Sequence, residues 1–455
     1  MEALTELLRR PEGKTLEFKR DLSSPAGVIK TMVAFANTAG GTLLVGVDDS
    51  TAQVRGVEDV LDLEERLASL VSDGIEPRLV PDVEIVQWRG LYVVAVEVHS
   101  SSLRPHHVSR EGADRGVYVR VGSTNRRADP QMIAELGRYA RGVAYDEQPM
   151  PHLDSEAVDF IAASESFSAV RHLRRSDLET LRLVVAYQGK RVPTVGGMLL
   201  FGVNREHHFP DAWIQAGRFA GSDRSRILDR VEIRGPLPGA VEEAVAFVHR
   251  HTLHGAEIGA VRRRERPSVP PVAVREAVVN AVAHADYGQF GAPIRIAMYD
   301  DRLEVENPGL LPFGLTVEDL PRGVSKLRNR VIGRVFHELG LIEQWGSGVQ
   351  RMAAACRDAG LPPPVFEEMA TRFRVTLFTE PVNEVVLDGV DRAILGALAG
   401  SEGRSTSDLA AVIGRSTRAT RTRLVELIER GLVVEVGTSP QDPKRLYYAT
   451  RHTET

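Results

Sequence analysis

Three polar residues, Glu276, Asn280 and His284, follow one another at intervals of four within the run 275–287. Residues four apart share one face of an α-helix, so the run predicts a helix with a polar row beside apolar core positions. Buried polar groups need partners, because unpaired burial is costly. A magnesium nucleotide would supply them, with the Asn280 carbonyl on Mg²⁺ and Glu276 activating a water. The alternative is a solvated helix face that binds nothing.

Two short turns downstream favour the nucleotide interpretation. The predicted strand 302–306 runs into Asn-Pro-Gly at 307–309, and Gly-Ser-Gly stands at 346–348 before a predicted helix. Glycines just before a helix let backbone amides approach phosphates, and the helix N-terminus favours an anion. The candidate binding residues are Asn280, His284, Asn307, Gly309, Gly346, Ser347 and Gly348.

Together, the run 275–287 and the two turns resemble the C-terminal ATPase-like domain of the RecG-related divergent AAA-4 regulators. That domain is a variant of the Bergerat, or GHKL, ATP fold, so the resemblance implies an α/β domain that binds ATP with Mg²⁺. The resemblance also implies roles for individual residues: Glu276 as catalytic base, Asn280 as magnesium ligand, Asn307 and Gly309 in the adenine turn, and Gly346 and Gly348 in the lid turn by the phosphates.

The adenine turn departs from that of the better-known members, which carry Asp-x-Gly-x-Gly. Asn307 replaces the aspartate, and Leu311 stands where the second glycine would be. A hydrogen bond between neutral groups is about half as strong as a charge-assisted one. ATP binding is therefore expected, hydrolysis is left open, and the pocket is interpreted as a sensor.

Three carboxylates near the N-terminus form a second candidate site. Alternation along the predicted strand 14–19 puts Glu17 and Lys19 on one face, Glu12 precedes the strand, and Asp48 follows an apolar strand. Such a cluster is expected to hold Mg²⁺ or Mn²⁺, because carboxylates brought together repel one another, and Lys19 could bind a phosphate. That is the chemistry of metal-dependent phosphodiester cleavage. The alternatives are an exposed Glu17–Lys19 ion pair and a turn role for Asp48.

The segments 12–19, 34–41, 45–48 and 118–125 resemble the Schlafen AlbA_2 domain. The resemblance implies DNA or RNA binding. Animal Schlafen nucleases cut tRNA and rRNA with a carboxylate triad whose order and rough spacing fit the three carboxylates above, whereas many bacterial members are described only as transcriptional regulators. Three arginines are interpreted either as phosphate contacts or as solvated side chains: Arg120, Arg126 and Arg127.

The C-terminal segment predicts three helices, at 390–398, 405–414 and 416–430, and then a two-stranded hairpin. It resembles the winged-helix family, whose third helix enters the major groove while the wing contacts the backbone. The candidate DNA contacts are Ser416, Arg418, Arg421 and Arg423 on the third helix, and Lys444 and Arg445 in the wing. The alternative is a winged helix used for protein contact or dimerisation.

The chain of 455 residues is too long for one core, and the predicted fold class is α+β multidomain. The expected regions are 1–142 (AlbA_2-like, nucleic-acid-binding), 150–265 (α/β connecting region, with an apolar strand at 197–202), 266–380 (GHKL-like, ATP-binding) and 388–451 (winged helix). The net charge of −5 excludes a polycation, so any nucleic-acid contact must be local.

The cysteine content and the hydropathy of the chain limit the kinds of site and the cellular location that can be expected. The one cysteine, Cys356, excludes an internal disulfide and a cysteine-rich zinc site. No apolar run reaches about 18 residues, which favours a cytoplasmic protein with no membrane partner.

Three functions are compatible with these patterns. The leading interpretation is a DNA-binding transcriptional regulator, expected to be a dimer, in which the ATP state of the centre changes how the two terminal regions hold nucleic acid. The second is an ATP-gated, divalent-metal-dependent nuclease that acts on tRNA, rRNA or single-stranded DNA, in antiphage defence. The third is a scaffold with a degenerate nucleotide site. Enzyme activity, as an ATPase or a nuclease, is left open.

Overall fold

The computed structural model describes residues 4–49, 51–252, 255–258, 263–266, 268–342, 346–381, 387–399, 403–436 and 445–450. The chain divides into two compact units. The first consists of Met1–Ala128 together with Asn383–Thr455, and the second of Asp129–Val382. The N-terminal part of the first unit therefore ends before residue 142, and the C-terminal segment belongs to the same unit.

The N-terminal part of the first unit is a mixed α/β domain. Its elements are α1 (Leu4–Leu8), β1 (Leu16–Lys19), α2 (Pro25–Asn37), β2 (Gly41–Val45), α3 (Val60–Gly74), β3 (Ile75–Glu76), β4 (Asp82–Trp88), β5 (Leu91–Val98), β6 (His107–Val108), β7 (Tyr118–Val121) and β8 (Thr124–Arg127). Four strands form a sheet in the order β1-β2-β5-β4, with β1 parallel to β2 and the other pairs antiparallel. The predicted hairpin at Arg89-Gly90 is confirmed, and both residues have positive φ, as a tight hairpin turn requires.

The second unit contains the predicted key helix. Its elements are α4 (Pro130–Ala140), α5 (Phe160–Phe167), α6 (Asp177–Thr180), β9 (Val184–Tyr187), β10 (Lys190–Pro193), α7 (Val195–Phe201), α8 (Arg205–His208), β11 (Ile214–Phe219), β12 (Ile227–Ile233), α9 (Leu237–Thr252), β13 (Gly255–Ile258), β14 (Arg263–Arg266), α10 (Pro271–His284), β15 (Ile294–Met298), β16 (Arg302–Pro308), α11 (Arg330–Glu338), α12 (Gly348–Asp358), β17 (Val365–Met369) and β18 (Arg372–Phe378).

A six-stranded sheet organises this second unit. Its strand order is β12-β11-β15-β16-β18-β17, with β11 parallel to β15 and the other pairs antiparallel. Helices α9 and α10 pack on the sheet, and α12 packs on α10. Strands from the expected connecting region and from the expected ATP-binding region thus share one sheet and one hydrophobic core.

One predicted strand is wrong. The apolar run 197–202 lies mostly in helix α7, which begins after Thr194, whose side chain accepts a hydrogen bond from Gly197 N. Every residue of α7 is buried. A short helix that is apolar on all sides has no polar face to reveal its period, so the run resembles a buried strand.

The C-terminal part of the first unit has α13 (Gly389–Leu398), α14 (Thr406–Ile413), α15 (Thr417–Glu429), β19 (Val433–Val436) and β20 (Leu446–Ala449). Helix α14 is capped by Ser405 in a capping box with Asp408. Helix α15 is capped by Ser416, and Gly431 follows it with φ of +70°. Strands β19 and β20 pair antiparallel.

These C-terminal strands share a hydrophobic cluster with the N-terminal domain. Val436 and Tyr448 pack with buried residues of α1, β1, β2 and β5. The Arg9 guanidinium lies over the Tyr448 ring at 4.6 Å and donates to Ala449 O at 3.0 Å. The two ends of the chain are therefore held together within this unit by apolar burial and by one arginine.

Candidate functional site

A cavity of about 720 Å³ lies beside helix α10 in the second unit. It is bounded by α10, α12, strands β16 and β18, and the loop 310–327. Six of the predicted ligand-binding or catalytic residues line it: Glu276, Asn280, His284, Asn307, Gly346 and Gly348. They come from three segments that are far apart in sequence, so the fold assembles them. Gly309 and Ser347 belong to the same two turns but are not among the lining residues.

Helix α10 presents the polar row to this cavity. The helix begins with proline, and nine of its residues between Ala273 and Ala283 are buried. Glu276 is 6% exposed, whereas Asn280 and His284 are half-buried. The far end of the helix is fixed by Asn329, whose Nδ2 donates to Ala283 O at 3.0 Å and Ala285 O at 2.8 Å. No local sequence pattern indicates this role of Asn329, because its acceptors lie 46 and 44 residues away.

Glu276 is closely surrounded. Its Oε1 accepts a hydrogen bond from Arg351 Nη2 at 2.9 Å and lies 3.8 Å from Arg275 Nη1. On the other side stands Gly348, where an added Cβ would lie only 2.6 Å from Glu276 Oε2. The glycine at 348 thus allows the start of α12 to approach the carboxylate.

The second predicted turn is built around Asn307 and Gly309. Asn307 is 5% exposed and its Nδ2 donates to Pro308 O at 3.0 Å. Gly309 has φ of +97°, and a Cβ there would lie 2.9 Å from the Cβ of Asp286. Asp286 N in turn donates to Pro308 O at 2.8 Å, which ties the end of α10 to this turn. Both the backbone angle and the close approach require glycine at 309.

His284 faces the cavity as a neutral imidazole. Burial lowers its pKa from 6.5 to about 4, because a charged imidazolium would lose its hydration there. At neutral pH this side chain therefore offers one donor and one acceptor to a ligand rather than a positive charge.

Charge in the cavity comes from residues that the motifs did not indicate. Four basic side chains line the cavity, Lys326, Arg330, Arg334 and Arg351, against two acidic ones, Glu276 and Glu338. The excess of two positive charges suits an anionic ligand. The only sequence signal is the basic run 326–334, which lies between the two recognised turns.

One wall of the cavity is apolar and aromatic. Phe366 and Phe373 stack with ring centroids 6.3 Å apart, and both line the cavity. Leu311, which stands where a glycine was expected, is also part of the lining. A cavity whose lining is both aromatic and cationic suits a ligand with a flat ring and an anionic tail.

The N-terminal carboxylates are held by protein groups. Glu17 is 7% exposed. Its Oε1 lies 2.6 Å from Lys19 Nζ, and its Oε2 lies 2.5 Å from Arg120 Nη2. Glu12 Oε1 accepts from Phe18 N at 2.7 Å, and burial is the main cause that raises the pKa of Glu12. Asp48 Oδ1 accepts from Thr51 N and Oγ1 at 3.2 and 3.1 Å, so Asp48 also organises a turn.

No group of three histidine, cysteine, aspartate or glutamate side chains lies close enough to hold a metal ion within the described ranges. The expected three-carboxylate metal site is therefore not assembled in this arrangement. The physical reason is visible at Glu17, because its two oxygens face the cations of Lys19 and Arg120.

The expected phosphate contact by Arg120 needs correction. Arg120 is 1% exposed, and besides Glu17 it donates to Gly13 O at 3.0 Å and Asn125 Oδ1 at 2.9 Å. It is a core residue that joins β7 to β1. The neighbouring Arg126 and Arg127 on β8 are exposed, as a phosphate contact requires.

In the C-terminal part, the first half of α15 carries exposed polar and basic residues. Ser416, Arg418 and Arg421 are exposed. Arg423 differs, because its Nε lies 2.6 Å from Asp391 Oδ1 and its guanidinium also contacts Asp388 and Glu426.

Arg423 thus forms ion pairs that join α15 to Asp391 on α13 and to Asp388 before it, and the DNA contact expected from Arg423 stays a prediction. In the hairpin, Arg445 lies 2.7 Å from Glu435, and Lys444 falls outside the described residues. Among the described helices, none is long and apolar enough to cross a membrane.

Two family models match separate parts of the chain. Residues 12–129 match the model described as "Schlafen, AlbA_2". Residues 291–377 match the model described as "Putative ATP-dependent DNA helicase recG C-terminal". The second match includes both glycine turns and begins after α10, so Glu276 and Asn280 lie outside it.

Solved structures also resemble the chain. A crystal structure of the DIP2311 protein of Corynebacterium diphtheriae is 21% identical, with a TM-score of 0.45, and covers 97% of this chain and 92% of that one. A solution structure of the N-terminal domain of a RecG-related protein from Nitrosomonas europaea is 28% identical, with a TM-score of 0.24, over 28% of this chain and 94% of that one. No curated protein matches significantly. Two separate parts of the chain are thus similar to known families, residues 12–129 to Schlafen AlbA_2 and residues 291–377 to the recG C-terminal model.

Proposed function

We propose that this protein is an ATP-responsive, nucleic-acid-binding regulator. The second unit would bind ATP, and the first unit would hold DNA or RNA. The observation that carries the proposal is the assembly of Glu276, Asn280, Asn307 and the 346–348 turn around one cavity with a cationic and an aromatic wall. The recG C-terminal family match over 291–377 supports the same interpretation.

The cavity can accommodate ATP by its chemistry. The adenine would lie against Phe366 and Phe373, with Asn307 as a neutral hydrogen-bonding partner. The phosphates would lie toward the 346–348 turn and the basic side chains. Asn280 would hold Mg²⁺ through its amide oxygen, and Glu276 is the group suited to orient a water.

The nucleic-acid face is proposed from the first unit. Three helices followed by a two-stranded antiparallel sheet fit the winged-helix plan, with α15 as the recognition helix. Arg418 and Arg421 would contact DNA from the exposed half of α15. Arg126 and Arg127 of the AlbA_2 domain would add backbone contacts, and a dimer on paired half-sites stays a prediction.

A route for the response to ATP lies in α4, the helix that follows the AlbA_2 segment directly in the chain. Tyr139 on α4 donates to Phe313 O at 3.2 Å, and their rings pack edge to face at 5.5 Å. Glu135, also on α4, pairs with Arg328, which donates to Leu310 O. Loop 310–327 lines the cavity, so a nucleotide that reorders this loop would act directly on α4.

Metal-dependent cleavage is not part of the proposal. Glu17 would be its central ligand, but the ion pairs of Glu17 with Lys19 and Arg120 favour a structural role. A ribonuclease or deoxyribonuclease assay with Mn²⁺ would reopen the question only if cleavage appeared and Glu17→Ala abolished it.

Thermal unfolding of the full chain with MgATP tests the nucleotide site. Ligand at about 100 times its Kd should stabilise the protein by roughly 2.7 kcal/mol. Asn280→Ala should lose most of this stabilisation, whereas Glu243→Ala, an exposed change on α9, should keep it. If millimolar MgATP does not stabilise the wild type, the proposed ATP site is wrong.

A gel-shift assay tests the nucleic-acid face with point changes rather than a truncation, because the C-terminal strands are part of a shared core. The double variant Arg418→Ala/Arg421→Ala should weaken duplex DNA binding. Arg392→Ala, an exposed arginine on α13, is the matched control. If the double variant and the control bind duplex DNA with equal affinity, α15 does not contact DNA.

A further inference from the structure

Arg351 holds a position that the recognised motifs leave without a role. It stands three residues after Gly348 on α12, so both lie on the same side of the helix. Its Nη2 donates to Glu276 Oε1 at 2.9 Å, and its side chain also lines the cavity. The Arg351 guanidinium therefore contacts Glu276, the proposed catalytic carboxylate, and Arg351 also lines the cavity in which the nucleotide would bind.

The two partners of this ion pair differ in how far their side chains are exposed. The Glu276 side chain is 8% exposed, whereas the Arg351 side chain is 30% exposed. Glu276 is confined by Gly348 on one side and by its place on the buried helix α10. An incoming anion would therefore displace the arginine and leave the carboxylate in place.

We propose that Arg351 is the residue by which the pocket distinguishes ATP from ADP, by exchanging Glu276 for the γ-phosphate. The inference rests on the proposed ATP site. In the structure the guanidinium pairs with Glu276. With ATP it would turn to the terminal phosphate, a group that accepts two parallel hydrogen bonds from an arginine. ADP lacks that phosphate, so with ADP the ion pair with Glu276 persists.

The exchange also positions Glu276. A carboxylate paired with a guanidinium is a poor acceptor for a water proton, because its lone pairs already accept charge-assisted hydrogen bonds. Release by ATP would free Glu276 only when a γ-phosphate is present. Arg351 is therefore a specificity and positioning residue, and the pocket reports triphosphate occupancy.

Calorimetric titration of the full chain with MgATP and, separately, MgADP tests this inference. Arg351→Ala should weaken MgATP binding by about tenfold to hundredfold, the range expected for a hydrogen bond between charged groups. MgADP binding should change by less than about twofold. Arg351→Lys should recover part of the ATP preference, since it keeps the charge but not the planar fork.

Two controls separate the possible failures. Arg357→Ala, an exposed arginine further along α12, should leave both affinities unchanged. Glu276→Gln removes the competing carboxylate charge and should increase the preference for ATP over ADP. If Arg351→Ala weakens both nucleotides equally, or neither, the inference is overturned while the ATP site stands. If the wild type binds neither nucleotide, the ATP site and the inference fail together.

Discussion

Buried Arg120 on β7 and Glu17 on β1 form an ion pair with Nη2 and Oε2 2.5 Å apart, in side chains that are 1% and 9% exposed. Removing Arg120 would leave the buried Glu17 carboxylate with Lys19 as its cation partner and would also break the Arg120 hydrogen bonds to Gly13 O and Asn125 Oδ1. Arg120→Ala should therefore lower the free energy of unfolding by about 3–5 kcal/mol, as measured by urea denaturation. Arg126→Ala, on the exposed neighbouring strand, should cost less than about 0.5 kcal/mol. A stable Arg120→Ala protein that has lost only nucleic-acid affinity would restore the phosphate role for Arg120.

Gly348 is predicted to be required for the nucleotide site and not for the fold. Alanine at 348 would place its Cβ 2.6 Å from Glu276 Oε2, so either the Glu276 carboxylate or the start of α12 must shift, and each shift disturbs the proposed phosphate end of the site. We expect MgATP affinity to fall by at least about tenfold, a loss of roughly 1.4 kcal/mol. Gly239→Ala is the control, since a Cβ on this α9 glycine meets nothing within 4 Å. Unchanged ATP affinity in Gly348→Ala would mean that the phosphates do not lie at this turn.

His284 predicts a pH dependence of stability. Its pKa is about 4 in the folded protein and about 6.5 in the unfolded chain. Between these values the unfolded state binds more protons, so lowering the pH through this window destabilises the fold, by up to about 3 kcal/mol. His284→Gln should remove this contribution to the pH dependence. The wild type should therefore lose more free energy of unfolding than His284→Gln when the pH is lowered from 7.5 to 5. Parallel pH profiles would show that the imidazole is solvated.

Coupling between the cavity and α4 can be followed by hydrogen exchange. Tyr139 on α4 donates to Phe313 in loop 310–327, and Glu135 on α4 pairs with Arg328, which in turn donates to Leu310 of the loop. MgATP should therefore slow amide exchange in peptides that cover Pro130–Ala140. Peptides from α5 (Phe160–Phe167), none of whose residues line the cavity, should not respond. In Glu135→Ala the α4 response should shrink. Protection that stops at the loop would disprove α4 as the route.

The sequence predicted the parts of the site that have local signals. The polar row of α10 and the two glycine turns each have a short-range pattern, and the structure places them around one cavity. Arg351 and Asn329 have no such pattern. Arg351 is 75 residues from Glu276, and Asn329 is 46 and 44 residues from its acceptors Ala283 and Ala285 at the end of α10. Long-range pairing of this kind arises from the packing of α10 against its neighbours and cannot be inferred from spacing.

Arg120 also shows that the sequence pattern does not identify a tertiary contact. Arg120 stands between Val119 and Val121, an alternation that is typical of a strand with one solvent-facing side. In the structure, however, Arg120 is buried and donates to Gly13 O, in the segment before β1. Likewise, the apolar face of the C-terminal hairpin predicts burial but not its partner, and the partner proves to be the N-terminal domain. The periodicity of apolar residues predicts that one face of an element is buried, whereas the element that packs on that face is known only from the tertiary structure.

In the proposed function, ATP in the second unit changes how the first unit holds nucleic acid. The most direct measurement is the affinity of the full chain for labelled duplex DNA at fixed salt, with and without saturating MgATP, in wild type and Asn280→Ala. A coupling of 1–3 kcal/mol is typical of linked sites, so the wild-type Kd should change by about fivefold or more with MgATP. Asn280→Ala should keep the nucleotide-free affinity and lose the response. An equal DNA affinity of the wild type with and without MgATP would show that the nucleotide does not regulate DNA binding.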